Sequence, residues 1–162
     1  MVRDGDANGR ADGWLRPAAE RVVRQAAQLG PAAVPGCGGA TFTAWDGQMP
    51  LVSASTRPGL ARFATVEHSL GYGPTLEALR TLRAVDADDL ISDDRWPRLR
   101  PYAVRWGARC VTCIVVKGTG LVATFALFGT LPREAPLGAV PVGSAIAAEA
   151  LSELAALRLA SR

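Results

Sequence analysis

The chain has 162 residues, a formal net charge of +3 and a hydrophobic fraction of 49%. These values fit one globular domain that buries a core, and they exclude an intrinsically disordered chain. The basic residues are almost all arginine and are scattered among acids rather than clustered. The sequence therefore shows no cluster of basic residues of the kind that binds nucleic acid directly.

The N-terminal stretch, residues 1–13, is rich in Asp, Gly and Arg and has no apolar period, so we expect a flexible tail. A single domain is predicted over residues 14–160. No charged start is followed by an apolar stretch, and the sequence therefore predicts no signal peptide. The longest apolar run, residues 121–128, is too short to cross a bilayer, so we expect a cytoplasmic protein.

Apolar spacing predicts helices and strands along this domain. Residues 14–29 show the helical period, and Asp46-Gly47 is a strong hairpin turn signal between two alternating strands. Asp93 or Asp94 is a capping candidate for the helix over residues 95–106. The predicted helices cover residues 14–29, 57–69, 74–83, 95–106 and 142–159, and the predicted strands cover residues 39–45, 49–55, 83–86, 110–117 and 120–130.

Four short segments follow one another in an informative order. Gly71-Tyr72-Gly73-Pro74 is a glycine turn that leads into a helix. Asp88-Asp89-Leu90 ends a short strand, and Trp96-Pro97 begins another helix. A hairpin then follows over residues 110–130. The ordered set is more specific than any one of its parts.

This ordered set resembles the GAF domain, and most of all the actinobacterial type that is often found ahead of RNA-binding ANTAR modules. The resemblance covers about Trp14 to Arg158. It implies an α+β fold with three α/β/α layers, in which a central antiparallel sheet carries the terminal helices on one face. The helices at 57–69, 74–83 and 95–106 would cover the other face, because both faces of such a sheet must be buried.

In the fold that the resemblance implies, a small ligand lies between the sheet and the helices of the 57–106 region. The helix that follows Gly73 would present free backbone N–H groups, that of Thr75 among them, which suit a carboxylate or a phosphate. Tyr72 and Trp96 would supply aromatic walls, or would instead be core residues around a filled cavity. The candidate ligand-binding residues are Thr41, Thr43, Trp45, Tyr72, Gly73, Thr75, Leu79, Trp96, Cys110 and Thr112.

The strand residues in this set lie on the more polar strand faces. Alternation places every second residue of a strand on one face, and the face under the terminal helices should be the more uniformly apolar. The residues expected to face the ligand are Thr41, Thr43 and Trp45 on the first strand and Cys110, Thr112 and Ile114 on the fourth.

Cys110-Val111-Thr112-Cys113 has the C-x-x-C form that occurs in zinc sites and redox enzymes. Residues three apart on a strand point to opposite faces, and only Cys37 and His68 could complete a metal site, so we expect no metal. GAF proteins that reduce free methionine sulfoxide carry a cysteine in the glycine-turn region, where this chain has Thr75. Small buried cysteines are the favoured interpretation, and a cysteine-dependent redox enzyme of that type is the alternative.

The sequence shows no pattern typical of a Ser-His-Asp catalytic triad. It also shows no paired carboxylates with a clear partner. We therefore expect no catalytic residue and no cofactor. The cyclic-nucleotide and tetrapyrrole signatures of other GAF domains are also missing from the sequence. The leading hypothesis is a non-catalytic small-molecule sensor in signal transduction or transcriptional control.

The last predicted helix carries the expected protein contacts. Its apolar stripe consists of Val142, Ile146, Ala150, Leu154 and Leu157. Part of this stripe must cover the sheet, and the rest is expected to form a homodimer through the terminal helices. No output module follows in the sequence, so we expect a separate effector protein, with no membrane partner and no direct nucleic-acid contact. A structural interaction module without a ligand is a further alternative.

Overall fold

The computed structural model describes residues 5–132 and 138–161, with side chains described from residue 15 onward. The helices and strands follow one another much as the sequence predicts. In chain order they are α1 (Gly5–Ala33), β1 (Gly39–Asp46), β2 (Met49–Ser55), α2 (Pro58–Leu70), α3 (Pro74–Thr81), β3 (Val85–Ala87), a 3₁₀ turn (Pro97–Leu99), α4 (Arg100–Trp106), β4 (Cys110–Lys117), β5 (Val122–Gly129) and α5 (Ala139–Ala160).

The described strands form one five-stranded antiparallel sheet in the order β2-β1-β5-β4-β3. The β1–β2 pair is a hairpin in which Asp46 lies opposite Met49, across the two-residue turn Gly47-Gln48. Gly47 has a φ of 58°, which glycine adopts without strain. An extra residue of β2, Leu51, shifts the register between the Trp45–Pro50 and Ala44–Val52 pairs, so the turn and this bulge together fix which side chains lie opposite each other.

The terminal helices α1 and α5 pack side by side on one face of this sheet. Alternate residues of the central strands point toward them, and the rings of Phe42 and Phe125 meet edge to face with centroids 5.5 Å apart. Ile114 of β4 joins the same core. Gly143 brings α5 close to the sheet, because a Cβ at this position would collide with the Ile114 side chain.

The helices α2, α3 and α4 cover the opposite face of the sheet. Phe63 of α2 meets Phe128 of β5 edge to face, with centroids 5.8 Å apart. Trp96, Leu99 and Cys113 belong to the same buried cluster. The sheet therefore lies between two helical layers, which confirms the α+β fold with three α/β/α layers and the terminal helices on one face.

The segment Asp88-Asp89-Leu90 is fixed to the start of β4. Arg109 donates from Nε to Asp89 Oδ1 at 3.2 Å and from Nη2 to Asp89 Oδ2 at 2.9 Å. This hydrogen-bonded guanidinium lowers the pKa of Asp89. Leu90 is buried, and its N–H donates to the Arg109 carbonyl at 2.7 Å. The segment thus joins the loop after β3 to the sheet.

Helix α1 is longer than the apolar period predicts. It begins at Gly5, inside the expected tail, and it ends at Ala33 rather than at residue 29. Once its apolar residues are fixed on the sheet, extension of the helix adds backbone hydrogen bonds without a new nucleation cost. The apolar period therefore marks the packed part of the helix and not its full length. Residues 1–4 lie outside the described residues, and the domain boundary stays a prediction.

The predicted cap of the helix after Trp96 is wrong. A 3₁₀ turn over Pro97–Leu99 precedes α4, and neither begins with a side-chain cap. Arg95 instead binds Asp93, with Nη2 at 2.7 Å from Oδ2. Arg100 binds Asp94 at 2.6 Å, so arginines hold both of the carboxylates that were candidates for capping.

Among the described residues, α5 is the one helix long and apolar enough to cross a membrane, judged by length and composition alone. The core helix of a soluble protein passes the same test. A stripe of α5 that includes Ala147, Leu151 and Leu154 is buried in the core against the sheet and α1. On the outer face of the helix, Ala145 and Ala148 are exposed.

Candidate functional site

A cleft of about 370 Å³ lies between the β1–β2 hairpin and the helices α2 and α3. It is in the range of volumes that bind small molecules. Its lining residues are Thr41, Thr43, Trp45, Pro50, Ser53, Ala54 and Ser55 from the strands and Ala61, Ala64, Thr65, Glu67, His68, Ser69, Thr75 and Leu76 from the helices α2 and α3.

Strand alternation builds the floor of the cleft. Phe42 and Ala44 point into the core under the terminal helices. Their neighbours Thr41, Thr43 and Trp45 therefore face the opposite way, into the cleft. The roof is one face of α2, which presents at helical spacing Ala61, Ala64, Thr65 and His68.

Two pairs of hydroxyl groups cross the floor from β1 to β2. Thr41 Oγ1 lies 2.8 Å from Ser55 Oγ. Thr43 Oγ1 lies 2.8 Å from Ser53 Oγ. Both pairs are directly opposite in the strand register, which the hairpin turn and the bulge at Leu51 set together. The floor is polar, and its own hydrogen bonds hold it in place.

Trp45 gives the cleft an aromatic wall whose orientation is fixed. Its Nε1 donates to Thr124 Oγ1 at 2.8 Å, and only 4% of the residue is exposed. The ring centroid lies 6.3 Å from that of His68 on α2. The strand and the helix thus approach each other across these two rings.

The start of α3 is not the open anion site that the sequence suggests. Glu67 of α2 is 2% exposed, and its Oε1 accepts hydrogen bonds from the backbone N–H groups of Thr75 at 2.5 Å and Leu76 at 3.2 Å. A carboxyl group of the chain itself therefore occupies the N–H groups expected to hold a ligand. Burial raises the pKa of Glu67 to about 7, against the lowering effect of these hydrogen bonds.

The predicted site residues are divided between the cleft and the core. The cleft is lined by Thr41, Thr43, Trp45 and Thr75. Leu79 and Trp96 are only 5% and 3% exposed and belong to the core. The Tyr72 hydroxyl accepts a hydrogen bond from the Arg98 N–H at 2.9 Å. Gly73 lies against Glu67 and leaves room for that side chain.

The structure places Cys110 and Thr112 on the wrong face of the sheet for this cleft. Ile114, which shares their face by alternation, packs in the core under the terminal helices. The residues of β4 that face the helices α2 and α3 are Val111 and Cys113. The polarity of Thr112 is a misleading guide to the cleft face of β4. Thr112 is only 2% exposed and is a buried polar residue on the face under the terminal helices.

Sequence reasoning missed six polar residues of the cleft, namely Ser53, Ser55, Thr65, Glu67, His68 and Ser69. Ser53 and Ser55 could not be predicted from the turn, since a two-residue turn after Asp46 alone would put Val52 and Ala54 opposite Thr43 and Thr41. The extra residue Leu51 shifts the register of β2 and brings these two serines there. The position of Glu67 was also beyond local patterns, because its partners lie eight or nine residues away on the next helix.

Two of the cysteine thiols, those of Cys37 and Cys113, are shielded to different degrees. Cys113 is fully buried, and this burial raises the pKa of its thiol well above the ordinary value. Burial also raises the pKa of the Cys37 thiol, which donates to the Gly39 carbonyl. Within the described part of the chain, no group of three or more His, Cys, Asp and Glu residues could hold a metal ion.

The sequence matches no protein-family model and no curated protein. Solved structures share the fold. SdiA in complex with octanoyl-rac-glycerol matches with a TM-score of 0.59 and 13% identity, over 94% of this chain and 69% of that one. Another structure of Escherichia coli SdiA gives a TM-score of 0.59 and 13% identity, over 84% and 61%.

A third structure is CepR2 from Burkholderia cenocepacia, an N-acylhomoserine lactone-dependent transcription factor of the LuxR family. It matches with a TM-score of 0.58 and 14% identity, over 90% of this chain and 91% of that one. At such identities the likeness shows the fold alone. This chain spans 69% and 61% of the two SdiA chains, so it corresponds to a part of them.

Proposed function

We propose that this chain is a non-catalytic, GAF-like sensor domain that binds a small molecule in the cleft and acts in signal transduction or transcriptional control. The observation that carries the proposal is the cleft of about 370 Å³ with a fixed polar floor. A concave site with a few positioned polar groups is what small-molecule recognition requires. Two structures with this fold support the proposal. SdiA was solved in complex with octanoyl-rac-glycerol, and CepR2 is an N-acylhomoserine lactone-dependent transcription factor.

The chemistry of the cleft favours binding over catalysis. Glu67 is the one carboxyl group among its described lining residues, and backbone N–H groups already engage it. Cys113 is buried with a raised thiol pKa, so little reactive thiolate is present at neutral pH. A cysteine-dependent reductase of free methionine sulfoxide therefore gains no support from the geometry.

The output of such a sensor would pass through protein contacts. A groove between α1 and α5 is lined by Leu29 and Ile146 on the surface away from the sheet, and Leu29 is 40% exposed. In this proposal the protein is cytoplasmic, forms a homodimer through the terminal helices and acts on a separate effector, with no membrane or nucleic-acid contact of its own. A ligand then acts by favouring one arrangement of these helices.

A thermal-shift screen with nucleotides, amino acids, haem and acyl compounds tests the proposal. Ala64→Phe fills the cleft from α2, and Arg62→Phe is its matched control, because Arg62 is exposed on the same helix and does not line the cleft. We expect at least one class to raise the Tm of the wild type and of the control but not of the filled variant. If no class does so, the chain is better described as an interaction module without a ligand.

A further inference from the structure

The direction of the hydrogen bond between Thr43 and Ser53 can be assigned from a third group, the Phe42 carbonyl. Ser53 Oγ donates to the Phe42 carbonyl at 3.1 Å. A hydroxyl group has one hydrogen, so Ser53 accepts in the 2.8 Å contact with Thr43, and Thr43 Oγ1 is the donor. The single hydrogen of Thr43 is therefore used within the floor. What Thr43 offers to the cleft is a lone pair, and it acts there as an acceptor.

The lining of the cleft provides no counter-charge for an anion. Among its described residues there is no Arg and no Lys. The backbone N–H groups at the start of α3 are engaged by Glu67, which is itself an acid. His68 is the other titratable residue of the lining, and it is exposed. An anionic group would lose part of its hydration at this floor, and neutral hydroxyl groups rather than a cationic side chain would replace it.

From these two observations we infer that the cleft takes a compact, uncharged molecule whose O–H or N–H group donates a hydrogen bond to Thr43 Oγ1. Apolar atoms of such a molecule pack against Ala61 and Ala64 of α2. Sugars, nucleosides and monoacylglycerols share this chemistry. The inference rests on the proposed function and names the class of ligand for the same cleft.

Pairs of uncharged and anionic compounds test the inference by calorimetric titration. The probes are adenosine with AMP, methyl glucoside with glucose 6-phosphate, and monooctanoylglycerol with octanoate, and the pair that responds identifies the source of the donor group. We expect the uncharged member of at least one pair to bind, and its anionic partner to bind at least about tenfold more weakly.

Substitutions at Thr43 locate the contact. Thr43→Val removes the acceptor at nearly constant shape and should weaken binding about three- to tenfold, the effect of one hydrogen bond. Thr43→Ser keeps the hydroxyl and should restore affinity. Thr81→Val makes the same change on the exposed surface of α3 and should have no effect. The Tm of each free variant shows that it is folded.

The outcomes separate this inference from the proposed function. The ligand class is wrong if an anionic member binds as tightly as its uncharged partner. It is also wrong if Thr43→Val binds like the wild type while Ala64→Phe still blocks binding. In both cases the proposed sensor function stands. If no uncharged member of any pair binds, the ligand class is overturned, and the thermal-shift screen decides separately whether the cleft binds another class of compound.

Discussion

Gly73 leaves the space that the Glu67 side chain fills, and together they join α2 to α3. The backbone of Gly73 has a φ of 152°, and a Cβ at this position would overlap the Cγ and carboxyl group of Glu67. Glu67 then reaches the N–H groups that begin α3. The glycine turn that the sequence suggests as a ligand contact is therefore part of the frame that holds the cleft.

Gly73→Ala should destabilise the fold by about 1–3 kcal/mol, since both the backbone conformation and the collision with Glu67 are unfavourable. Gly71→Ala is the matched control. Gly71 also has a positive φ, of 73°, but a Cβ there meets nothing within 4 Å. Gly71→Ala should lower the free energy of unfolding by only about 1 kcal/mol. Urea unfolding measures both variants, and equal losses would contradict the assigned role of Glu67.

The raised pKa of Glu67 predicts a pH-dependent stability. The folded protein holds this proton up to about pH 7, whereas an unfolded carboxyl releases it near its ordinary value of 4.5. The folded state binds more protons than the unfolded state in this pH window. The stabilisation that Glu67 contributes is therefore fully present below about pH 4.5 and is lost as the pH rises to about 7. The loss from this one group should be on the order of 3 kcal/mol.

Glu67→Gln isolates this effect. The amide oxygen still accepts from the N–H groups of Thr75 and Leu76, but the side chain no longer titrates. We expect the free energy of unfolding of this variant to change less between pH 5 and pH 8 than that of the wild type. Glu153→Gln, at an exposed position of α5, should keep the wild-type slope. An unchanged slope in Glu67→Gln would show that other groups cause the pH dependence.

Sequence patterns predicted the layers of this fold better than the faces of its strands. On β1 the pattern was sufficient, because Phe42 is strongly apolar and the adjacent Thr41 and Thr43 are polar. On β4 both faces carry one cysteine and apolar residues, so the polarity of Thr112 selected the wrong face. Only the packing of Ile114 against Gly143 shows which side faces the terminal helices.

The anion-binding role predicted for the start of α3 failed for a different reason. The local sequence correctly indicated N–H groups beside a glycine, and the structure has them. Their partner, Glu67, lies on the preceding helix and becomes visible only when α2 and α3 are placed together. Local patterns give the donors of such a site, and tertiary packing decides whether they are still available.

The thiol of Cys113 should react only when the protein unfolds. It is fully buried and its pKa is raised by burial, so a thiol reagent at pH 8 should modify it at the rate of opening of the fold. Cys37 is only partly buried and should react faster. Cys37→Ala removes the fast phase and Cys113→Ala removes a slow one. Rapid modification of Cys113, or turnover of free methionine sulfoxide that Cys113→Ala abolishes, would revive the redox alternative.

A homodimer through the terminal helices predicts a specific effect at Leu29. This side chain is 40% exposed beside the groove between α1 and α5, so Leu29→Arg should dissociate a dimer at micromolar concentration without unfolding the domain. Val104→Arg is the matched control, because Val104 is 61% exposed on α4 in the opposite layer. Sedimentation velocity measures the change. A monomeric wild type, or a Val104→Arg variant that dissociates equally, would show that the terminal helices are not the dimer contact.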